Sequence, residues 1–169
     1  GSEMCIRDRF DTFIKTFNPG SNDKGRQFEN FVKSFLLTEQ YWATQVGNIW
    51  LWDEWPGRWG SDNGIDLIFE HKITGEIWAV QAKNYSSDYY ISKPDIDSFI
   101  SESSGPEIQQ RLLIGTTNNI GPKPRRVMKR QDKPVTLFLL SDFQNAAINY
   151  PNKYSYLTVE NRKKKHTPR

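Results

Sequence analysis

The amino-acid sequence predicts an α/β fold, a mixed central sheet flanked by helices, and three features carry that reading. Its 169 residues suit one domain with a sizeable core. Two segments with phenylalanines at helical spacing come first, a strand–turn–strand pattern follows, and the remainder alternates helical segments with continuous apolar runs of strand length. The composition, 36% hydrophobic and 25% charged, belongs to a globular chain rather than a disordered one.

The elements follow in order. Phe10, Phe13, Ile14 and Phe17 recur at i, i+3, i+4 and i+7, which predicts a short amphipathic helix from about Arg9 that stops at Asn18-Pro19-Gly20. Ser21, Asn22 and Asp23 offer N-caps to a second helix over 24–38, whose inner stripe is Phe28, Phe31, Val32, Phe35 and Leu36. Residues 44–59 are rich in aromatics and predict one strand or two short ones, broken at Pro56-Gly57. The tryptophans there, Trp50, Trp52 and Trp55, suit core packing or an interdomain contact better than base stacking. A strand at 65–69, a turn at 72–75 and a strand at 76–83 make an antiparallel hairpin, with His71 solvated beside the turn. Pro94 opens a helix over 95–102. Residues 112–117 and 135–140 predict buried strands, separated by a basic helix over 123–130 and followed by a short helix at 143–148.

Several classes of function are excluded by composition. No apolar run reaches the roughly 18 residues of a membrane helix, and no secretory leader is visible, so an intracellular protein is expected. One cysteine, Cys5, and two distant histidines, His71 and His166, support neither a disulfide framework nor a Cys/His zinc site. The formal charge of +3 comes from the tail: residues 161–169 hold five basic side chains and no acid, leaving 18 basic against 20 acidic residues in the body. The organisation expected is a scar of recombinant expression or disordered N-terminus at 1–9, a folded domain at 10–160 and a basic tail or linker at 161–169. A second basic stretch, Lys123, Arg125, Arg126, Lys129 and Arg130, falls within the folded part and is a candidate contact for DNA phosphates.

The chemistry concentrates in the hairpin. Asp66 sits between Ile65 and Leu67, where an unpaired aspartate is costly. On the returning strand Gln81 and Lys83 share one face while Val80 and Ala82 share the other, so Asp66 can lie near both Gln81 and Lys83. Glu29, beside the apolar stripe of the second helix, is the candidate fourth member. Such a set suits metal-assisted phosphodiester hydrolysis: Asp66 and Glu29, helped by Gln81, supply the hard oxygens that Mg²⁺ requires. The ion stabilises developing charge and acidifies a water, and Lys83 orients that water, helps to deprotonate it or offsets phosphate charge.

Asp66, fourteen intervening residues and then Gln-x-Lys resembles the PD-(D/E)XK nuclease superfamily in its Mrr-like branch, where glutamine replaces the acid of the third motif. KGRQFENFVKSFL is similar to the helical motif that brings a glutamate, here Glu29, to the metal. IWLWDEWPGRWGSDNGIDL with IWAVQAKNY resembles the N-terminal nuclease domain of type ISP restriction-modification enzymes and related helicase-nuclease proteins over about residues 10–150. The resemblance departs in two places: Ile65 stands where proline precedes the first acid, and Gln81 is a poorer metal ligand than a carboxylate, so the site leans more heavily on Glu29.

The resemblance implies a restriction-endonuclease-like core and an Mg²⁺-dependent deoxyribonuclease of type I-like restriction, with Mn²⁺ as a substitute ion. It implies double-stranded DNA as substrate, helicase/ATPase and methyltransferase domains on the same polypeptide, a transient nuclease dimer and the cytoplasm of a bacterial or archaeal cell. KKKHTPR is similar to the linker that leads into the helicase motor. The alternative reading is a catalytically silent nuclease-fold module that binds DNA or docks on its own motor through the tryptophan segment.

Overall fold

The computed structural model describes residues 5–17, 23–60 and 64–151. The expected helix-breaker at 18–20, the caps at 21 and 22 and the basic tail at 161–169 lie outside the described residues.

A five-stranded mixed sheet forms the centre, in the order β1-β2-β3-β5-β7. Strands β1 (Val46–Leu51), β2 (Leu67–His71) and β3 (Ile77–Lys83) are antiparallel neighbours, and β3, β5 (Gln110–Gly115) and β7 (Val135–Phe138) run parallel. Parallel neighbours need crossovers, which the helices α4 (Lys93–Glu102) and α5 (Pro122–Lys129) supply. A two-stranded parallel pair, β4 (Tyr90–Ile91) with β6 (Asn119–Ile120), lies outside that sheet and has no counterpart in the sequence reading, since two residues carry no period.

One face of the sheet packs against α1 (Ile6–Ile14), α2 (Asp23–Thr38), α3 (Gln40–Ala43) and α6 (Leu140–Asn145). The helical phenylalanines meet there: Phe10 stacks on Phe143 at 4.9 Å, and Phe31 touches the rings of Phe10, Phe13, Phe28, Phe35 and Phe143. Helix α1 begins at Ile6, inside the stretch expected to precede the domain, and α6 begins three residues before the expected Phe143, where the Asp142 carboxylate accepts from the Leu139 amide and closes its first turn.

The opposite face packs against α4, α5 and the segment after β1. In that segment the expected strand ends at Leu51, short of Pro56-Gly57, and passes into a 3₁₀ turn, Trp52–Glu54, closed by Glu54 accepting from the Leu51 amide at 3.1 Å; no strand follows over 55–60. Its tryptophans are core residues, as core packing required: Trp52 and Trp55 are buried, and Trp59 meets Trp52 edge-on at 5.0 Å. Strand β7 is half-buried along its length, where the sequence reading expects full burial, because it forms the edge of the sheet. His71 is not simply solvated. Its Nδ1 accepts from the Ile73 and Thr74 amides, which leaves Nε2–H to donate to Gln45 Oε1 at 2.7 Å, so the ring organises the hairpin turn.

Gly64 brings β2 onto α4. Its φ is +111°, and a Cβ there would stand 2.9 Å from Phe99 N and Ser98 C. Gly64→Ala is therefore expected to cost about 2–3 kcal/mol, from left-handed strain plus displacement of α4. A chemical denaturation curve superimposable on wild type would refute this role.

Candidate active site

Asp66 lies one residue before β2 and is 4% exposed. Its backbone continues the ladder, donating to Val80 O at 2.8 Å and accepting from Trp52 N at 3.0 Å. The side chain turns to the neighbouring strand, where Oδ2 accepts from the Ala82 amide at 2.8 Å. Ala82 stands between Gln81 and Lys83, so the carboxylate is pinned at the centre of the Gln-x-Lys motif.

Gln81, 3% exposed, turns toward α4 on the face that Ala79 shares. Its Nε2 donates to the backbone carbonyl of Asp95 at 3.3 Å. A carbonyl only accepts, so it selects the amide nitrogen and directs Oε1 away from α4. Gln81 Oε1 is buried and has no hydrogen-bond partner among the described residues. A buried acceptor left bare costs about 1–3 kcal/mol, a cost that a bound cation or water would relieve.

Lys83 ends β3 and is exposed. It faces Asp95, one of several influences on that acid. Burial pushes the Asp95 carboxyl up, but hydrogen bonds from Tyr89 Oη and from Ser92 N and Oγ, together with the Lys83 ammonium, outweigh burial and hold it below its ordinary range. Tyr85 stacks on Tyr89 with centroids 4.7 Å apart, and burial, with the negative charges of Asp95 and Asp66 around it, raises its phenol.

Glu29 joins from the other side. It lies on α2, 19% exposed at its side chain, and lines with Asp66 a cleft of about 260 Å³ between α2 and the tryptophan segment. Arg26, Asp53 and Arg58 line the same cleft. The structure thus brings Asp66 and Glu29 to one cleft and Asp66 against the Gln-x-Lys strand, with Gln81 and Lys83 on the side of α4. Among the described residues no group of three or more Asp, Glu, His or Cys side chains gathers closely enough to hold a metal. A cation at this place would draw on these two carboxylates together with neutral oxygens or waters, and Gln81 Oε1, on the strand that Asp66 Oδ2 joins, is a candidate neutral donor.

The basic stretch forms α5, with Val127 and Met128 packed inward and Lys123, Arg125, Arg126, Lys129 and Arg130 exposed. Arg125 also donates Nε to Ile120 O at 3.3 Å, which ties one of these cations to the β6 end. Sequence reasoning missed Arg26, Arg58, Asp95 and Tyr89 and left Asp53 unassigned. Only the i, i+3 placement of Arg26 before Glu29 was a usable sign.

A mixed sheet with an acid and Gln-x-Lys at neighbouring strand ends defines a nuclease-like α/β core, and comparison with known proteins gives its family. A restriction endonuclease family of the Mrr catalytic type matches residues 37–159, and the chain belongs to that family. Among solved structures it is similar to the ATP-dependent type ISP restriction-modification enzyme LlaBIII bound to DNA, with 26% identity and a TM-score of 0.69 over 88% of this chain. It shares its fold with the modification-dependent endonuclease AspBHI at 11% identity and TM-score 0.51, and with MspJI in complex with a 27-mer oligonucleotide at 12% and 0.53, each over 96% of this chain. The chain spans 9% of the LlaBIII chain and 40% and 38% of the other two. No curated protein matches it.

Proposed function

We propose that this restriction endonuclease domain is an Mg²⁺-dependent deoxyribonuclease, with Mn²⁺ as a substitute, and that it is the cleavage module of a larger ATP-dependent, type I-like restriction enzyme. The observation that carries the reading is the buried Asp66 carboxylate, held by the amide of Ala82 between Gln81, whose Oε1 has no hydrogen-bond partner among the described residues, and Lys83. Asp66, Gln81 and Glu29 are the residues that would hold the cation, and the cation supplies Lewis-acid stabilisation of charge on the phosphate oxygens. Lys83 orients the attacking water and offsets charge on the scissile phosphate. Tyr89 and Ser92 fix Asp95, whose carbonyl holds the Gln81 amide nitrogen and so leaves Oε1 as the end free to meet a cation.

The substrate is double-stranded DNA. Lys123, Arg125, Arg126, Lys129 and Arg130 of α5 contact its phosphates, fixing register without reading sequence. Helicase/ATPase and methyltransferase domains of the same polypeptide deliver the DNA, two nuclease modules pair transiently to cut both strands, and the reaction belongs to the cytoplasm of a bacterial or archaeal cell. The structure describes no helix long and apolar enough to cross a membrane.

The test is supercoiled plasmid with Mg²⁺, Mn²⁺ or EDTA, at protein concentrations high enough for pairing. Nicked or linear product is expected with either metal and none with EDTA. Lys83→Ala should lower the cleavage rate by about 10²–10⁴-fold while DNA binding persists. A wild-type chain inert with both metals would replace this reading by that of a silent DNA-binding or docking module.

A further inference from the structure

The cleft that holds Asp66 and Glu29 also contains two arginines for which the metal site has no use. Arg26 lies one helical turn before Glu29 on α2. Its Nη2 donates to Asp53 Oδ2 at 3.1 Å, and its Nη1 stands 4.0 Å from Glu29 Oε1. Arg58 donates Nη1 to Trp55 O at 3.0 Å, which anchors one arm of its guanidinium to the tryptophan segment. The Arg26–Asp53 pair is open to water, its side chains 47% and 62% exposed, so it contributes little to holding the fold. Its position explains it better than its stability does.

Charge arithmetic shows what such a cleft binds. Among the described residues lining it, Arg26 and Arg58 stand against Glu29, Asp53 and Asp66, a formal charge of −1. A phosphodiester approaching the two inner carboxylates is repelled unless cations meet it at the rim. A guanidinium is the side chain suited to that, because its forked donors match two phosphate oxygens. At rest one arm of the Arg26 fork, Nη2, is taken by Asp53, and one divalent cation reverses the cleft to +1.

We propose that Arg26 and Arg58 form a seat for a backbone phosphate of the strand to be cut, and that Asp53 occupies Arg26 until a phosphodiester displaces it. The seat rests on the reading of this cleft as the nuclease centre. In it, DNA and a divalent cation bind cooperatively, since each lowers the repulsion that the other meets.

The experiment is fluorescence anisotropy of a labelled double-stranded oligonucleotide with the whole chain in EDTA, where nothing is cut, across a salt series. Asp53→Asn should tighten Kd by about 3–10-fold by releasing Arg26. Arg26→Gln should weaken it by a similar factor and reduce the salt slope by about 1. In the Arg26→Gln background, Asp53→Asn should have no further effect. Both positions are exposed, so unchanged melting curves are expected for all three variants. An equal tightening by Asp53→Asn with and without Arg26 would overturn the proposal in favour of diffuse electrostatics, as would a Kd indifferent to both substitutions. The two readings separate cleanly: plasmid cleavage with no Arg26–Asp53 coupling defeats the phosphate seat alone, and coupling without cleavage under Mg²⁺ or Mn²⁺ upholds the seat and defeats the nuclease.

Discussion

Asp66→Asn is expected to abolish cleavage, lowering the rate by at least about 10³-fold, while leaving the fold nearly as stable as wild type. The substitution separates the two tasks of this side chain. Oδ2 accepts from the Ala82 amide at 2.8 Å, and an asparagine oxygen accepts the same bond, so the β2–β3 junction survives. The negative charge that would hold a divalent cation is lost, and with it the several kcal/mol of charge stabilisation that such an ion supplies, each 1.36 kcal/mol being worth about tenfold in rate. Asp66→Ala removes both tasks. It leaves a buried amide unsatisfied and should add a stability loss of about 1–3 kcal/mol to the same loss of activity. Plasmid cleavage and urea denaturation of the two variants side by side give the comparison. Wild-type cleavage by Asp66→Asn would show that the carboxylate is a structural acceptor only.

Arg111→Met is expected to lower stability by about 3–5 kcal/mol, on the order of 10 °C in Tm for a chain of this size, without touching any candidate catalytic side chain. Arg111 is 2% exposed in β5, and its hydrogen-bond partners are all neutral acceptors. Nε donates to Ser103 Oγ at 2.7 Å, Nη2 to Ile100 O at 3.1 Å and Ser104 Oγ at 3.2 Å, and Nη1 to Gln131 Oε1 and Lys133 O, both at 3.4 Å. Lys133 completes the arrangement by donating to the carbonyls of Ser103 at 2.8 Å and of Gly105. Two cations thus cap the C-terminal end of α4, where the last carbonyls have no helical partner and the helix dipole is negative. Burial lowers the pKa of both, and for Lys133 the nearby Arg111 charge lowers it further.

Methionine fills much of the volume but strips donors from several buried acceptors at once. Relief of the Arg111–Lys133 repulsion offsets part of that cost. Because α4 also presents the Asp95 carbonyl to Gln81, a loosened α4 should reduce cleavage as well. A loss of less than about 1 kcal/mol in guanidinium denaturation would show that Lys133 alone suffices as the cap.

How much of this was legible beforehand follows from where each signal resides. Helix α2 was readable almost to the residue, because its phenylalanines repeat at a period that only a helix satisfies. The antiparallel β2–β3 pair was readable from its turn, and the register that sets Leu67 opposite Val80 carries Asp66 to the Gln-x-Lys strand. The order of helices and strands was readable too, from breakers and apolar runs. Strand β7 was misjudged because an apolar run does not say whether a strand is central or at an edge.

The sequence by itself determined the layered α/β architecture and the family motif, since period, turn chemistry and the order of Asp66, Gln81 and Lys83 along the chain are local properties. Only the tertiary structure decided which way those groups face. Alternation places Gln81 and Lys83 on the α4 side, yet Ile65 and Ile68 share one core although they stand three positions apart, so the strand rule fails just before β2, where Asp66 lies. The Asp95 carbonyl selects the Gln81 amide nitrogen from 14 residues away, Arg26 meets Asp53 across 27, and Arg111 closes α4 through acceptors up to 22 away. None of these carries a period or a local motif. They are matches of donor to acceptor and charge to charge, which exist only once packing has brought the partners together.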